Sequence, residues 1–575
     1  MDDFRIALAQ INSTVGALTR NRAKIIEYAK DALKTGAELV VFPELSLCGY
    51  PPEDLVLKPH FIEAIEVELN HLKEKLPSEI ISIVGVPVMG VERTQNAAVV
   101  FFRGEIVATY AKQQLPNYGV FDEHRVFEEG TRPLCLQIGN LRVGLHICED
   151  SWVHSTEDAA KFASLELTTL INLSASPFHR GKTIERKEIL QKTSASVRAP
   201  LSYCNLVGGQ DELVFDGGSM VLSPRGETIQ EGKRFTEDLV IVDLPVRECT
   251  KSESSTNLIQ IIELDRPSSS TRPVLPLRPK VQKICELEEV YEALCLGLRD
   301  YADKNGFLNV LIAISGGIDS ALVAALAVDA LGADRVNGVS LPTQYSSEGT
   351  RSDALQLAAN LGIKMPMLPI QNLFDTFLDV LTPQWAGRGL DVTEENLQAR
   401  IRGTLVMALS NKFGSLVVAT GNKSEMATGY ATLYGDMCGG YALIKDVPKT
   451  MVFDLCRWSN KQQGSERIPQ SLIDRPPSAE LRDDQKDSDN LPPYEILDAI
   501  LSRYIEQDHG LEEIVAEGFD PNLVARVIRL VDGNEYKRRQ APPGVKITPK
   551  AFGRDRRVPI TNHFRPTTPS HPEHD

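Results

Sequence analysis

No run of about 18 or more apolar residues interrupts this chain, so nothing in it reads as a membrane span. The opening Met1-Asp2-Asp3-Phe4-Arg5 has no basic segment followed by an apolar core and does not read as a signal peptide. Paired cysteine spacing is also missing. Nine cysteines, an odd number, are scattered along the sequence, which excludes a disulfide framework and reads as a reduced, cytoplasmic chain. There is no CxxC and no histidine cluster to suggest zinc. A surplus of positive charge is absent as well. The net charge is −16, which argues against broad nucleic-acid binding. What remains is an ordinary soluble composition, 42% hydrophobic and 24% charged. With 575 residues the chain exceeds one core, so two or more domains are expected.

The most informative string present is Ser315-Gly316-Gly317-Ile318-Asp319-Ser320. It follows the apolar run Val310 to Ile314 and precedes the helical run Ala321 to Ala327. A strand, a glycine turn and a helix N-terminus aim bare backbone N–H groups and a positive dipole end at one spot. The glycines allow close approach of a phosphate. The Gly-Lys-Ser/Thr ending of a Walker P-loop is missing. The string resembles instead the PP-loop of the N-type ATP pyrophosphatases. The plainer alternative is a tight strand–helix turn without a ligand.

Along the chain, short apolar runs alternate with amphipathic stretches over residues 4–245. Ile6–Ala9, Leu39–Phe42, Ile81–Val86, Ala97–Phe101, Val143–Ile147 and Leu170–Leu173 read as strands, and Asn21 to Thr35 as a helix. Residues 247–280 are rich in Ser, Thr, Pro and charge and read as a linker. From Val281 a second α/β pattern predicts strands at 309–314, 335–341 and 415–420 in a doubly wound parallel sheet. This divides the chain into domains at 1–246 and 281–560, with a Pro- and His-rich tail at 561–575 that reads as disordered. One segment opposes the acidic trend: Lys537, Arg538, Arg539, Lys546, Lys550, Arg554, Arg556 and Arg557. It reads either as a basic stretch that balances local acid or as a lid over an anionic substrate.

Three segments in the first half stand out together. Phe42-Pro43-Glu44-Leu45 puts a carboxylate after a strand, Lys112-Gln113-Gln114 puts a lysine before a turn, and His146-Ile147-Cys148-Glu149-Asp150 puts a thiol at a strand end. Each is unremarkable alone: a lone cysteine there is usually core, and a lone glutamate or lysine is usually solvated. In this order they resemble the Glu-Lys-Cys triad of the nitrilase superfamily, whose fold is an α-β-β-α sandwich. The chemistry suits the residue types. A thiolate attacks an amide, a base takes its proton, and a fixed cation stabilises the oxyanion. The resemblance implies proton acceptor Glu44, oxyanion partner Lys112 and nucleophile Cys148.

The strings KQQLPNYGVFDEHRVF (112–127), NLSASPFHRGK (172–182) and YCNLVGGQDELVFDGGS (203–219) resemble the glutaminase half of the glutamine-dependent NAD synthetases. That resemblance implies glutamine contacts from Tyr118, Ser176 and Lys182, with Glu123 a second carboxylate near the thiol. Downstream, EENLQARIRG (394–403), ATGNKSEMATGYATLYGDMCGG (419–440), DRPPSAELRDDQKDSDNLPPYEILD (474–498) and NEYKRRQAPPGVK (534–546) are similar to the synthetase half of the same family. Its second domain is a doubly wound sheet of the adenine nucleotide alpha hydrolase type. The resemblance implies ATP contacts from the whole of Ser315 to Ser320 and from Thr420, Lys449 and Ser478. It implies deamido-NAD+ contacts from Asn396, Arg400, Glu425, Tyr536 and Lys537. Asn396 and Arg400, one turn apart, would share a helix face. Asp319 and Glu425 would hold Mg²⁺, which prefers carboxylate and phosphate oxygens. For Asp319 the competing reading is a helix cap. One departure is Leu433, where the shorter relatives would have a lysine.

The implied reaction is amidation of deamido-NAD+ through an NAD-adenylate, with ammonia from glutamine conducted between the sites. The family further implies a homo-oligomer with small-molecule substrates only. Two alternatives stand beside it: another PP-loop amidotransferase, such as a GMP-synthetase-like enzyme, and a binding scaffold with decayed sites. The NEYKRRQ and GNKSE contexts oppose the first, and the intact Glu44, Lys112 and Cys148 oppose the second.

Overall fold

The computed structural model describes residues 3–152, 156–246, 259–267, 272–279, 281, 283–482, 485–489 and 491–564. The chain divides into two compact units, Met1–Ile284 and Cys285–Asp575.

The first unit is built on two sheets. A six-stranded sheet runs, in spatial order, Asp238–Leu244, Phe4–Gln10, Leu39–Val41, Ile81–Met89, Thr94–Phe102, Glu105–Ala111. A seven-stranded sheet runs Thr228–Glu231, Met220–Leu222, Leu201–Asn205, Thr169–Ser174, Leu141–Ile147, Leu134–Ile138, Gln260–Leu264. The strand Phe4–Gln10 shows why this is a sandwich. All seven residues are buried, and the side chains alternate between faces. Phe4, Ile6 and Leu8 join a core with Val143, Leu145 and Ile171 of the second sheet. Ala7 and Ala9 join a different core with Ile25, Ala29, Ile65 and Leu72, which belong to the helices Leu18–Lys34 and Pro59–Lys75. On the far side, Lys182–Val197 packs Leu190 and Val197 against Leu170 and Leu201. The layers are therefore α-β-β-α.

The segment read as a linker is partly regular. Gln260–Leu264 adds a parallel edge strand to Leu134–Ile138, from Gln260 opposite Leu134 to Leu264 opposite Ile138. Arginines fasten the flanking stretches to the same unit: Arg266 to Glu38, Arg272 to Asp243 and Arg278 to Asp238. Residues 247–258 of that segment lie outside the described residues, as do residues 565–575 of the tail.

The second unit has a four-stranded, all-parallel sheet in the order Val336–Val339, Val310–Ala313, Leu416–Ala419, Tyr441–Ala442. The chain leaves Val310–Ala313 to one side first and to the other side later. The carboxyl end of that strand is thus a topological switch point, where such sheets bind ligands. The helix Ile318–Leu331 starts there and is almost wholly apolar, with Ala321 to Ala327 fully buried. Among the described residues no helix is long and apolar enough to cross a membrane.

Candidate active sites

In the first unit, Glu44 sits in the turn after Leu39–Val41. That turn lies directly against Gly85: a Cβ there would come within 2.3 Å of the Pro43 carbonyl and 2.4 Å of the Leu45 nitrogen. Only glycine permits this approach. Lys112 directly follows the strand Glu105–Ala111 and is fully buried. Its Nζ donates to Glu44 Oε1 at 2.7 Å and to Glu123 Oε1 at 2.9 Å. Glu44 also accepts from Asn96 Nδ2 at 2.8 Å and from the Ala175 backbone N at 2.9 Å. Glu123 accepts from the Tyr50 hydroxyl at 2.8 Å. Burial works against the Lys112 charge, but the Glu123 and Glu44 carboxylates outweigh it and hold the ammonium charged. Two carboxylates share that one cation, and the surplus appears at Glu123. Burial, with the Glu44 charge added, pushes its carboxyl up to about 7.

Cys148 ends the strand Leu141–Ile147 and starts a short 3₁₀ turn with φ of +43°, in the left-handed region. It is buried. Burial and the Glu44 charge push its thiol well above the usual range, against the pull of Lys112. The resting thiol is therefore neutral, and its proton needs an acceptor. The Cys148 carbonyl accepts from Asn172 Nδ2 at 3.1 Å, and Asn172 also donates to Ser151 Oγ at 2.6 Å.

Asp150 escaped the sequence reading. Its Oδ1 accepts from the Gln113 and Gln114 nitrogens at 3.1 and 2.8 Å. Its Oδ2 accepts from the Ile147 nitrogen at 2.9 Å and the Tyr110 hydroxyl at 2.8 Å. One carboxylate thus ties the thiol's turn to the segment that carries Lys112. Its proximity to Cys148 in the Cys-Glu-Asp string was the available signal. An amide cannot accept at both ends. The Asp150→Asn variant is expected to lose glutamine hydrolysis by about 10²-fold, the scale of a small misplacement at a reacting centre. Release of glutamate from glutamine measures it, and a rate within threefold of the parent would refute the role.

Of the other residues expected near the thiol, Tyr118 is half-exposed and donates to Glu149 Oε2 at 3.0 Å. Lys182 opens the helix Lys182–Val197, lies 4.0 Å over the Trp152 ring and reaches Glu185 at 3.2 Å. Ser176 is buried, and its nitrogen donates to Asn205 Oδ1 at 3.0 Å.

The second unit holds a cavity of about 440 Å³ at the switch point, lined by the whole of Ser315 to Ser320. Gly316 has φ of +86°, and a Cβ there would lie 2.3 Å from the Thr350 carbonyl. Gly316→Ala should therefore move the turn. A left-handed conformation alone costs alanine about 1–2 kcal/mol. We expect at least a tenfold rise in KM for ATP, scored with ammonium as nitrogen donor; an unchanged KM would count against the cradle.

Asp319 does not cap its helix: Gly317 is the cap, without a side-chain bond. The Asp319 carboxylate instead accepts from Asn422 Nδ2 at 2.9 Å and from Lys449 Nζ. Lys449 also reaches Glu425 Oε1 at 3.4 Å. Burial pushes the Glu425 carboxyl up to about 8; Lys449 opposes this and Asp319 adds to it. Asn422 fixes Glu425 by a reciprocal pair, Glu425 N to Asn422 Oδ1 at 3.0 Å and Asn422 N to Glu425 Oε2 at 3.3 Å. Thr420 and Ser478 also line the cavity, and so do Asn396 and Lys537.

Arg400 and Tyr536 are not in the lining. The Arg400 side chain is exposed, and its Nε turns to the Leu433 carbonyl at 3.2 Å. Sharing a helix face with Asn396 does not bring it into the cavity. Tyr536 is half-exposed. The basic segment is spent largely on its own surroundings: Arg538 and Arg539 on Glu535, Lys546 on Asp555, Lys550 on Asp508, Arg556 on Asp532. From it only Lys537 faces the cavity, and its ammonium donates to the Gly429 and Ala431 carbonyls at 2.7 and 2.9 Å. This matches the charge-balancing reading, not the lid.

Comparison with known proteins agrees with both halves. Residues 5–252 match the carbon-nitrogen hydrolase family and residues 290–541 the NAD synthase family. A glutamine-dependent NAD(+) synthetase of Thermotoga maritima is 47% identical, covering 98% of this chain and 100% of that protein. The corresponding protein of Acinetobacter baylyi is 42% identical, over 98% and 100%. A solved structure of the Acinetobacter baumannii enzyme with ADP superposes with a TM-score of 0.74 at 40% identity, over 97% and 99% of the two chains.

Proposed function

The chain belongs to the glutamine-dependent NAD(+) synthetases, and from that premise we propose which residues carry each half of the reaction. The enzyme is a ligase that amidates deamido-NAD+ to NAD+ with ATP and glutamine. The observation that carries our assignment is the buried Lys112 ammonium between Glu44 and Glu123, beside the Cys148 thiol.

Glu44 takes the Cys148 proton as the sulfur attacks the glutamine carboxamide carbon. The Lys112 ammonium faces the charge that develops on the carbonyl oxygen. The C–N bond breaks, the proton goes to the leaving nitrogen, and ammonia departs. Water then cleaves the thioester and frees glutamate. Tyr118, Ser176 and Lys182 hold the glutamine, and Glu123 buffers the buried charge.

In the second unit, the glycine turn and the helix start behind it hold the pyrophosphate of ATP. The nicotinate carboxylate of deamido-NAD+ attacks the α-phosphorus and pyrophosphate leaves. Ammonia then attacks the acyl carbon and AMP departs. Thr420, Lys449 and Ser478 serve ATP, while Asn396, Glu425 and Lys537 serve the dinucleotide. The ADP bound in the Acinetobacter baumannii relative supports an adenine nucleotide here.

Asp319 and Glu425 would hold Mg²⁺. Among the described residues no cluster of three or more ligand side chains forms a protein-only cage. Two carboxylates that rely on substrate phosphates for the remaining positions are what Mg²⁺ usually takes. The depleted charge on Glu425 fits a place that a divalent cation would complete. When bound, the ion would neutralise phosphate charge. We also propose a homo-oligomer. The exposed apolar stripe Leu373, Phe377 and Val380 on the helix Gln371–Leu381 supports it, and light scattering tests it.

The deciding assay is NAD+ formation from deamido-NAD+ and ATP, with glutamine or ammonium, beside a xanthosine monophosphate control. Turnover of the control in place of deamido-NAD+ would reverse the reading.

A further inference from the structure

Five cations line the cavity of the second unit, and their partners differ. Lys449 is held by Asp319 and Glu425, and Arg475 by Asp353. Lys537 is spent on two carbonyls. Arg351 is exposed and donates to the Ser346 carbonyl. Arg402 is different. Its Nε donates to the Leu341 carbonyl at 3.0 Å, just past the carboxyl end of the strand Val336–Val339. Among the described residues its two terminal nitrogens have no hydrogen bond, and no carboxylate is close enough to pair with it. Burial depresses its guanidinium to about 10, with the Asp436 and Glu480 charges opposing from a distance.

A partly buried cation in a cavity wall, without a counter-ion, is costly, and folds keep one chiefly where an anion completes it. The side chain is also prepared for that use. It projects from the 22-residue helix Val392–Phe413, beside Ala399, Gly403 and Val406 in the same lining. The bond at Nε fixes the plane of the fork and leaves the Nη edge free. A fixed fork suits bidentate capture of a phosphate or carboxylate.

We propose that Arg402 is a binding and specificity-determining residue of the amidation site, its free edge taking an oxyanion of ATP or of deamido-NAD+. This rests on the function assigned above. The parent enzyme's ammonia-driven turnover is therefore measured first, since failure there would indict that function and not Arg402.

Arg402→Gln and Arg402→Lys are then compared with the parent in steady state, with ammonium as donor. Arg402→Gln should raise one KM by about tenfold to a hundredfold, the range of a charged hydrogen bond, with kcat within threefold. Arg402→Lys should recover part of the loss, because it keeps the charge without the fork. A rise in KM for ATP assigns the contact to ATP, and a rise for deamido-NAD+ assigns it to the dinucleotide. The thermal unfolding transition of the same samples reports on folding. Should Arg402→Gln fail to fold, Arg402→Lys decides by the same criterion. Both KM values within twofold of the parent, or a loss confined to kcat, would overturn the proposal.

Discussion

Cys148→Ala is expected to abolish NAD+ formation from glutamine, by about 10⁴-fold or more, the scale on which loss of a covalent nucleophile acts. The ammonia-driven rate should stay within about twofold of the parent. Among the described residues no neighbouring thiol can substitute. Cys48, Cys135 and Cys204 are all buried, and the Cys48 and Cys204 sulfurs are turned to backbone carbonyls. Alanine removes only the sulfur, and the Asn172 contact to residue 148 is made through the backbone carbonyl. The turn therefore has the same external support in the variant. Lys112→Ala would be a poorer test. It would leave Glu44 and Glu123 buried without their cation, and unpairing a buried charge costs about 3–5 kcal/mol. A loss there would mix unfolding with chemistry. Equal loss of both nitrogen sources in Cys148→Ala would refute the division into two sites.

Much of this site was legible because each reactive group sits where a strand ends inside a short contiguous string. Phe42-Pro43-Glu44 and Ile147-Cys148 follow apolar runs that read as strands, Lys112-Gln113 precedes a turn, and the structure gathers Glu44 and Lys112 within 2.7 Å. Three of the four strands of the second unit were legible for the same reason, to within a residue or two at each end, and Tyr441–Ala442 was not. What escaped depends on partners distant in sequence. Three of the four donors to Asp150 belong to Tyr110, Gln113 and Gln114, 36 to 40 residues upstream, and the fourth to Ile147. The strand Gln260–Leu264 hides among Ser, Thr and Pro, and only the edge of Leu134–Ile138 makes it regular. The basic segment left two readings open. Its cations are close together in sequence, but Asp508 and Asp532, which neutralise two of them, lie upstream. Charge counted along a chain does not say where the counter-charge is. Arg402 was passed over because its helix face became a cavity wall only through the neighbouring strands.

Asp319→Ala is expected to remove both the glutamine-driven and the ammonia-driven reactions, by about 10³-fold or more, because positioning and charge stabilisation at the phosphates carry most of phosphoryl-transfer catalysis. The carboxylate performs two tasks at one point. It orients Lys449, and it faces the spot at which the glycine turn and the helix start converge. Without it Lys449 keeps only Glu425, at 3.4 Å, and is drawn to that side of the cavity. Asp319→Asn separates the tasks. It preserves the size of the side chain but removes its charge, and with that charge goes part of what raises the Glu425 carboxyl. Glu425 should then titrate lower than about 8, and Lys449 should pair with it more fully. If orientation alone mattered, Asp319→Asn would retain most of the ammonia-driven rate. If charge at the phosphates matters, it should fail as Asp319→Ala does, while raised Mg²⁺ recovers part of the activity. Glutamine hydrolysis, which belongs to the other unit, should continue in both variants, and thermal unfolding checks that the second unit is folded. An ammonia-driven rate within tenfold of the parent in Asp319→Ala would dismiss both tasks, leaving the glycine turn to bind pyrophosphate with backbone N–H groups alone.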